Sequence, residues 1–166
     1  MVFKRVTIRV SDLDASRRFY ALAEAPEEVV LEAAAEPTRH LHIAFAVSSR
    51  AAVDDWWRRL VDAGYASDGE PGPRAQYSVT YYGAFVLDPD GNSVEAVQHA
   101  QSSRGVDHIW IRTHEIAGER ARYVAAEGIR LVRDDPGLVR FRDDDGSFTF
   151  VDDGRPLTEN ASFEKR

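Results

Sequence analysis

The sequence predicts an α+β fold assembled from repeats of a β-α-β-β-β unit, and three observations carry that prediction. Stretches of period two, apolar on alternate residues, recur along the chain. Amphipathic stretches of helical period, each preceded by a capping residue, sit between them. The order strand, cap, helix, strands then comes round again, which marks an internal repeat.

Val2 to Val10 puts Val6, Ile8 and Val10 on one face and Arg5, Thr7 and Arg9 on the other, the pattern of a half-buried strand. Ser11 and Asp12 offer caps to a helix from Leu13 to Ala23, with Leu13, Ser16, Phe19, Tyr20 and Ala23 along one stripe, and Pro26 ends it. Glu27 to Ala35 mixes Val29, Val30 and Leu31, which favour a strand, with EAAAE, which favours a helix; Pro37 stops either. His40 to Val47 (HLHIAFAV) is a strand with His40 and His42 on one face. Ser48 or Ser49 caps a helix from Arg50 to Ala63 in which Val53, Trp56, Trp57, Leu60 and Val61 recur at helical spacing, so the tryptophans read as core. Gly64 terminates that helix, and Ala66 to Arg74 reads as a Gly/Pro loop.

Gln76 to Leu87 and Ser93 to Gln98 are predicted strands joined at DPDG. Ala100 to Gly105 is short, small and polar. A strand from Val106 to Arg112, a helix from Ile116 to Glu127 and strands near Ile129 to Val132, Leu138 to Arg142 and Phe148 to Val151 follow it. The expected organisation is therefore two paired units in residues 1–99, the first shortened, a linker at 100–105, a third unit at 106–152 and a tail at 153–166. The tail carries little hydrophobic content and is expected to be loose. A third unit without a partner in the chain would leave an apolar face and a sheet edge open, which suggests that it pairs with its copy in a homodimer or packs against the gap of the shortened first unit.

At 166 residues with 43% hydrophobic and 30% charged content, the chain has the composition of a globular protein that folds without staples. It has no cysteine, which removes disulfides, thiolate nucleophiles and cysteine-ligated metals and leaves histidine and carboxylate as ligands. The net charge of −7 is spread along the chain with no basic block, so neither nucleic acid nor an anionic membrane surface is an expected partner. No run reaches the length of a membrane span and the first residues do not form a signal-peptide core, which reads as cytoplasmic. No serine-histidine-acid constellation, phosphate-binding glycine loop or dinucleotide fingerprint is present.

Within AFVLDPDGNSVEAV, residues 84–97, Glu95 is a lone carboxylate in an apolar strand and needs pairing, hydrogen bonding or a metal. Alignment of IRVSDLDASRRFY with IRTHEIAGERARY pairs Arg5 with His108, and alignment of FVLDPDGNSVEAV with VRFRDDDGSFTFV sets Glu95 over Phe150. These stretches, with HLHIAFAV, resemble the vicinal oxygen chelate superfamily of glyoxalases, bleomycin-resistance proteins and extradiol dioxygenases, over about residues 2–152. The resemblance implies βαβββ modules forming a curved mixed β-sheet cup, helices on the convex side, and a site on the concave face. Its metal ligands come from the first strands of modules and from a last strand, which carries over here to Arg5, His42 and Glu95.

Arginine cannot ligate a cation, so the implied metal site is degenerate and a metal-free cup is the favoured expectation. Three arrangements stand open. Arg5 and Glu95 form a buried ion pair with His42 beside it. Alternatively, His40 or Glu32 supplies a third ligand to one divalent ion, Fe, Mn, Ni or Zn, with His42 and Glu95, the latter also a candidate base. Otherwise the cup binds an anionic or aromatic small molecule through Arg5, Arg9, His42 and the phenols of Tyr77 or Tyr82. His108 reads as a strand-start histidine bonded to Asp107 or a carbonyl, and His99 and His114 as solvent-exposed. The runs Asp134-Asp135, Asp143 to Asp145 and Asp152-Asp153 read as solvated turns. The function expected is that of a glyoxalase-like protein acting on or binding a small polar molecule, with a non-catalytic binding or dimer-scaffold module as the alternative.

Overall fold

The computed structural model describes residues 3–100, 105–143 and 146–165; the core of the expected linker, residues 101–104, and Asp144 and Asp145 of the acidic turn lie outside the described residues. The chain runs β1 (Phe3–Val10), α1 (Leu13–Leu22), β2 (Val29–Ala33), β3 (His42–Ala46), α2 (Arg50–Asp62), β4 (Ser67–Pro73), β5 (Tyr82–Leu87), β6 (Ser93–Gln98), β7 (Gly105–Arg112), α3 (Ile116–Val124), β8 (Arg130–Asp135), β9 (Leu138–Arg142), β10 (Ser147–Val151) and β11 (Ser162–Lys165). The side chains of Asp12 and Ser49 accept the backbone N–H of Ala15 and Ala52 and so start α1 and α2. Among β-branched Val29 and Val30, the ambiguous segment resolves as strand β2. The expected Gly/Pro loop instead forms β4, an edge strand with irregular register, the place where prolines in a sheet are tolerated.

The strands form a three-stranded sheet in the order β11-β1-β2 and an eight-stranded sheet in the order β4-β5-β6-β3-β7-β10-β9-β8. In each full unit the first strand lies parallel to the last, β3 beside β6 and β7 beside β10, and the two units join by antiparallel pairing of β3 with β7. The unit at 105–151 thus finds its partner within the chain, in the unit at 42–98. The unit left over is the first, which keeps β1, α1 and β2 but lacks a hairpin between helix and last strand. This differs from the grouping of residues 1–99 expected above, and it removes the module count as a reason for a homodimer. The tail supplies β11, which covers the free edge of β1. It is further held by Thr158 to the carbonyl of His40 and by Asn160 to Thr38, so it is not loose.

Phe19, Ile43, Val53, Trp56, Leu60, Phe141 and Phe148 fill the core between sheet and helices. The opposite face of the eight-stranded sheet carries a cavity of about 720 Å³. The β5–β6 connection is clamped to α1: buried Asp88 accepts the Tyr20 hydroxyl at 2.8 Å and the backbone N–H groups of Asp90 and Asn92. No helix among the described residues is long and apolar enough to cross a membrane.

Candidate functional site

Strand alternation sets which side chains meet in the cavity. On β3 and β6, His42 lies opposite Ser93 and Ala44 opposite Glu95; on β7, Ala44 faces His108 and His42 faces Trp110. Residues on one face of adjacent strands are neighbours, so three strands bring His42, Glu95 and His108 together. Their ligand atoms all lie within 4.8 Å of one another. Nε2 of His42 is 3.1 Å and Nε2 of His108 is 3.5 Å from Oε2 of Glu95, and the two Nε2 atoms are 3.2 Å apart.

The far side of each group is held. Glu95 is wholly buried, and its Oε1 accepts the Tyr81 hydroxyl at 2.8 Å. His108 Nδ1 is 2.8 Å from Asp107, which also lies 3.1 Å from His99 Nε2. His42 Nδ1 is 3.4 Å from the hydroxyl of Ser93, which donates to Asp68. With each Nδ1 donating outward, both Nε2 atoms face Glu95 Oε2, and on neutral imidazoles, the form that binds a metal, they would present lone pairs there. Room for the carboxylate comes from Gly83, where a Cβ would stand 2.3 Å from Oε1.

Burial alone would raise the pKa of Glu95, but His108 and then His42 outweigh it and hold the carboxyl at about 2. Burial lowers His108, but Asp107 and then Glu95 raise it to about 9. For His42 burial wins over Glu95 and its pKa is lowered. Burial, then Glu95, raises Tyr81 well above the ordinary phenol range, so it remains a donor. Without an ion, the cluster is an anionic Glu95, a cationic His108 and a neutral His42.

The donor set fits a metal. Oε2 of Glu95 is buried with no properly oriented hydrogen bond, although two imidazole nitrogens lie within 3.5 Å. Bonds of about 2.0–2.2 Å to one ion place neighbouring ligand atoms roughly 2.8–3.6 Å apart between octahedral and tetrahedral angles, which covers all three separations. With His108 deprotonated, the buried carboxylate oxygen and the two Nε2 atoms are one oxygen and two nitrogen donors that one cation could share.

The structure distributes the sequence-predicted residues differently. Arg5 lies in the three-stranded sheet, bonded to Glu32 at 2.6 Å and to Thr7, with its side chain 40% exposed and that of Glu32 49% exposed. It does not meet Glu95, because the strand that faces β3 is β7 and not β1; Glu32 is likewise no ligand at the cup. Arg9 is exposed on β1, away from the cavity. His40 has φ of 57° just before β3 and lines the cavity without joining the three ligands. Tyr77 lines the cavity, its ring 5.1 Å from Tyr81 and 6.4 Å from Trp110. Tyr82 points to the helix side and donates to Asp54; the phenol at the site is its neighbour Tyr81.

His42 and Glu95 lie 3.1 Å apart, and His108, which its sequence position reads as a strand-start histidine, joins them. Its signal lies in the alignment with Arg5 at the first-strand position, and setting Glu95 over Phe150 leaves the His108 unit without a matching carboxylate. In the structure Ser147 lies opposite His108 as Ser93 lies opposite His42, so the counterpart of Glu95 is Thr149. The second turn is one residue shorter, and a one-residue slip moves a side chain to the other face, where Phe150 packs on Tyr123 of α3. His99, expected in solvent, is bonded to Asp107 and stacked on Tyr81.

Residues 24–96 match the family model of the Glyoxalase/Bleomycin resistance protein/Dioxygenase superfamily. No curated protein matches the chain. Among solved structures, glyoxalase I from Zea mays is similar at 19% identity, with 98% of this chain and 71% of that chain covered and a TM-score of 0.69. A candidate dioxygenase from Bacillus subtilis is similar at 12% identity, with 98% and 69% covered and a TM-score of 0.66. The matched segment runs across β2 to β6, and the paired βαβββ units have the fold of these solved structures.

Proposed function

We propose that the cup is a metal-dependent active site in which His42, His108 and Glu95 hold one divalent ion and a small organic molecule with two adjacent oxygens takes the open positions. The observation that supports this reading is the convergence of three ligand atoms on one point, each group already tied on its far side. Two histidines and one carboxylate with open positions suit iron(II), with Mn, Ni and Zn as competitors. When bound, the ion supplies Lewis acidity toward a chelated pair of oxygens.

The remaining roles fall to the chain. Tyr81 holds the Glu95 carboxylate in one orientation and, as a neutral phenol, keeps Oε1 occupied so that Oε2 faces the ion. Asp107 orients His108 and fixes the nitrogen that ligates. Phe85, Tyr77 and Trp110 furnish aromatic wall against which the bound molecule would lie.

Untagged protein stripped by chelator, titrated anaerobically with Fe(II) or Mn(II) and desalted, is expected to retain one ion per chain. Glu95→Gln is expected to weaken that affinity by about 100-fold or more, since second-shell changes alone cost about 10–100-fold. Wild-type protein that retains no ion would overturn the metal site and leave a binding cup in its place.

A further inference from the structure

The wall facing the ligand triad is cationic. Arg140 on β9 lies opposite Thr149, and its Nε donates to the Thr149 hydroxyl at 2.9 Å. Its guanidinium sits over the Trp110 ring at 5.2 Å, and that ring is 6.4 Å from the ring of His42. The guanidinium is therefore one indole away from the metal ligands. Of the other arginines lining the cavity, Arg112 and Arg155 face Asp153, the terminal nitrogens of Arg74 donate to the carbonyls of Pro73 and Glu70, and Arg142 has interactions of its own. Arg140 has no carboxylate partner among the described residues, and its two terminal nitrogens have no hydrogen-bond partner there. Burial, then Arg133, lowers its pKa, the mark of a cation desolvated without a counter-charge.

A half-buried guanidinium stacked on an indole, fixed through Nε and presenting its fork to a cavity, is a preorganised receptor for a planar anion. The chain as a whole carries a net charge of −7, so the cation is not a sample of a basic surface. From this juxtaposition we infer that the molecule bound in the cup carries a carboxylate, which Arg140 receives while the adjacent oxygens lie toward His42, His108 and Glu95. The inference rests on the reading of the cup as a small-molecule site, but its anion subsite lies in the second unit and can be probed without a metal.

The test is an NMR titration of chelator-treated, metal-free protein with benzoate, its neutral isostere benzamide and phenyl phosphate, following the indole N–H of Trp110. Benzoate is expected to bind about 10- to 100-fold more tightly than benzamide. The Trp56 indole, bonded to the carbonyl of Ala23, is expected to stay in place and reports that the fold is intact. Arg140→Met, which keeps an unbranched side chain over Trp110, is expected to abolish the preference, and Arg140→Lys, which keeps charge but loses the fork, to reduce it several-fold. Equal binding of benzoate and benzamide by the wild type, or an unchanged preference in Arg140→Met, would overturn the inference. Tighter binding of phenyl phosphate than of benzoate would overturn the carboxylate assignment. Metal retention by the same wild-type preparation is assayed separately, so a benzoate preference in protein that binds no ion upholds Arg140 and removes the metal.

Discussion

On the last strand of the first full unit the residue facing the cavity is Glu95; its cross-strand neighbour is Phe85, and two residues before that stands Gly83. The same positions of the second unit hold Thr149, Arg140 and Leu138. The first-strand histidines, His42 and His108, are shared by both units, but only one unit supplies a carboxylate and only the other an uncompensated guanidinium. A repeat that kept both carboxylates would surround an ion more completely. This one leaves a half of the cup for the organic molecule, and the divergence is concentrated in the residues that face it, while core positions such as Val94 and Phe148 remain apolar.

The largest effect should come from filling the space that the first unit leaves for its carboxylate. Gly83→Ala would place a Cβ 2.3 Å from Oε1 of Glu95 and 3.3 Å from the Tyr81 ring. Glu95 is wholly buried and has nowhere to swing, so strand or carboxylate must shift. Loss of about 1–3 kcal/mol of stability by denaturant titration is expected, as for overpacking in a core, together with at least a tenfold loss of metal affinity. The matching change in the second unit, Leu138→Ala, should leave metal affinity alone; if the two variants bind the ion equally well, the asymmetry between the halves is not what shapes the site.

A smaller effect tests the contribution that crosses from the second unit to the first, His108 against Glu95. In metal-free protein His108 has its pKa raised to about 9, above an ordinary value of 6.5, so its share of stability is complete below about pH 6.5 and is lost as pH rises through 9. Glu95 is held at about 2, below an ordinary 4.5, so the same ion pair is complete above about pH 4.5 and is lost as pH falls toward 2. The contribution of this pair in metal-free protein is therefore expected to be greatest between about pH 4.5 and 6.5 and to fall by on the order of 1–3 kcal/mol by pH 9. Denaturant midpoints at pH 5.5, 7.5 and 9 would show this. A profile that stays level for the wild type, or one that His108→Gln does not flatten, would count against the pair.

Much of this architecture is legible in the residues themselves. The alternation of Val6, Ile8 and Val10, the caps Asp12 and Ser49, and the stripe Val53, Trp56 and Leu60 fix strands and helices by local physics, and the repeat implies the cup. The pairing of units is not local. Whether β3 lies beside β7 or β1 is decided by which sheet edges meet, and the third unit and the tail strand β11 compete for them. Parity was the other obstacle: one residue of turn length separates Thr149 from Phe150, and one residue of strand start separates Tyr81 from Tyr82. Each such slip turns a side chain from cavity to core. His42 and Glu95 are legible together because their own unit contains both, whereas His108 reaches them only through the partner unit.

The smallest effect belongs to the truncated first unit, which repeats the plan without a cup of its own. Arg5 occupies there the place that His42 and His108 hold in the full units, but its partner is Glu32 at 2.6 Å, with both side chains well exposed. An exposed pair of this kind contributes about 0–1 kcal/mol, because solvent screens it and two long side chains must be ordered to form it. Arg5→Ala is expected to shift stability by no more than that, and Arg5→His to leave the metal affinity of the cup unchanged, since β1 belongs to the other sheet. Titration of both variants with Mn(II) beside the wild type would check this. A gain of metal affinity in Arg5→His, or a loss of more than about tenfold in Arg5→Ala, would mean that the first unit reaches the ligands after all, and that three units and not two build the site.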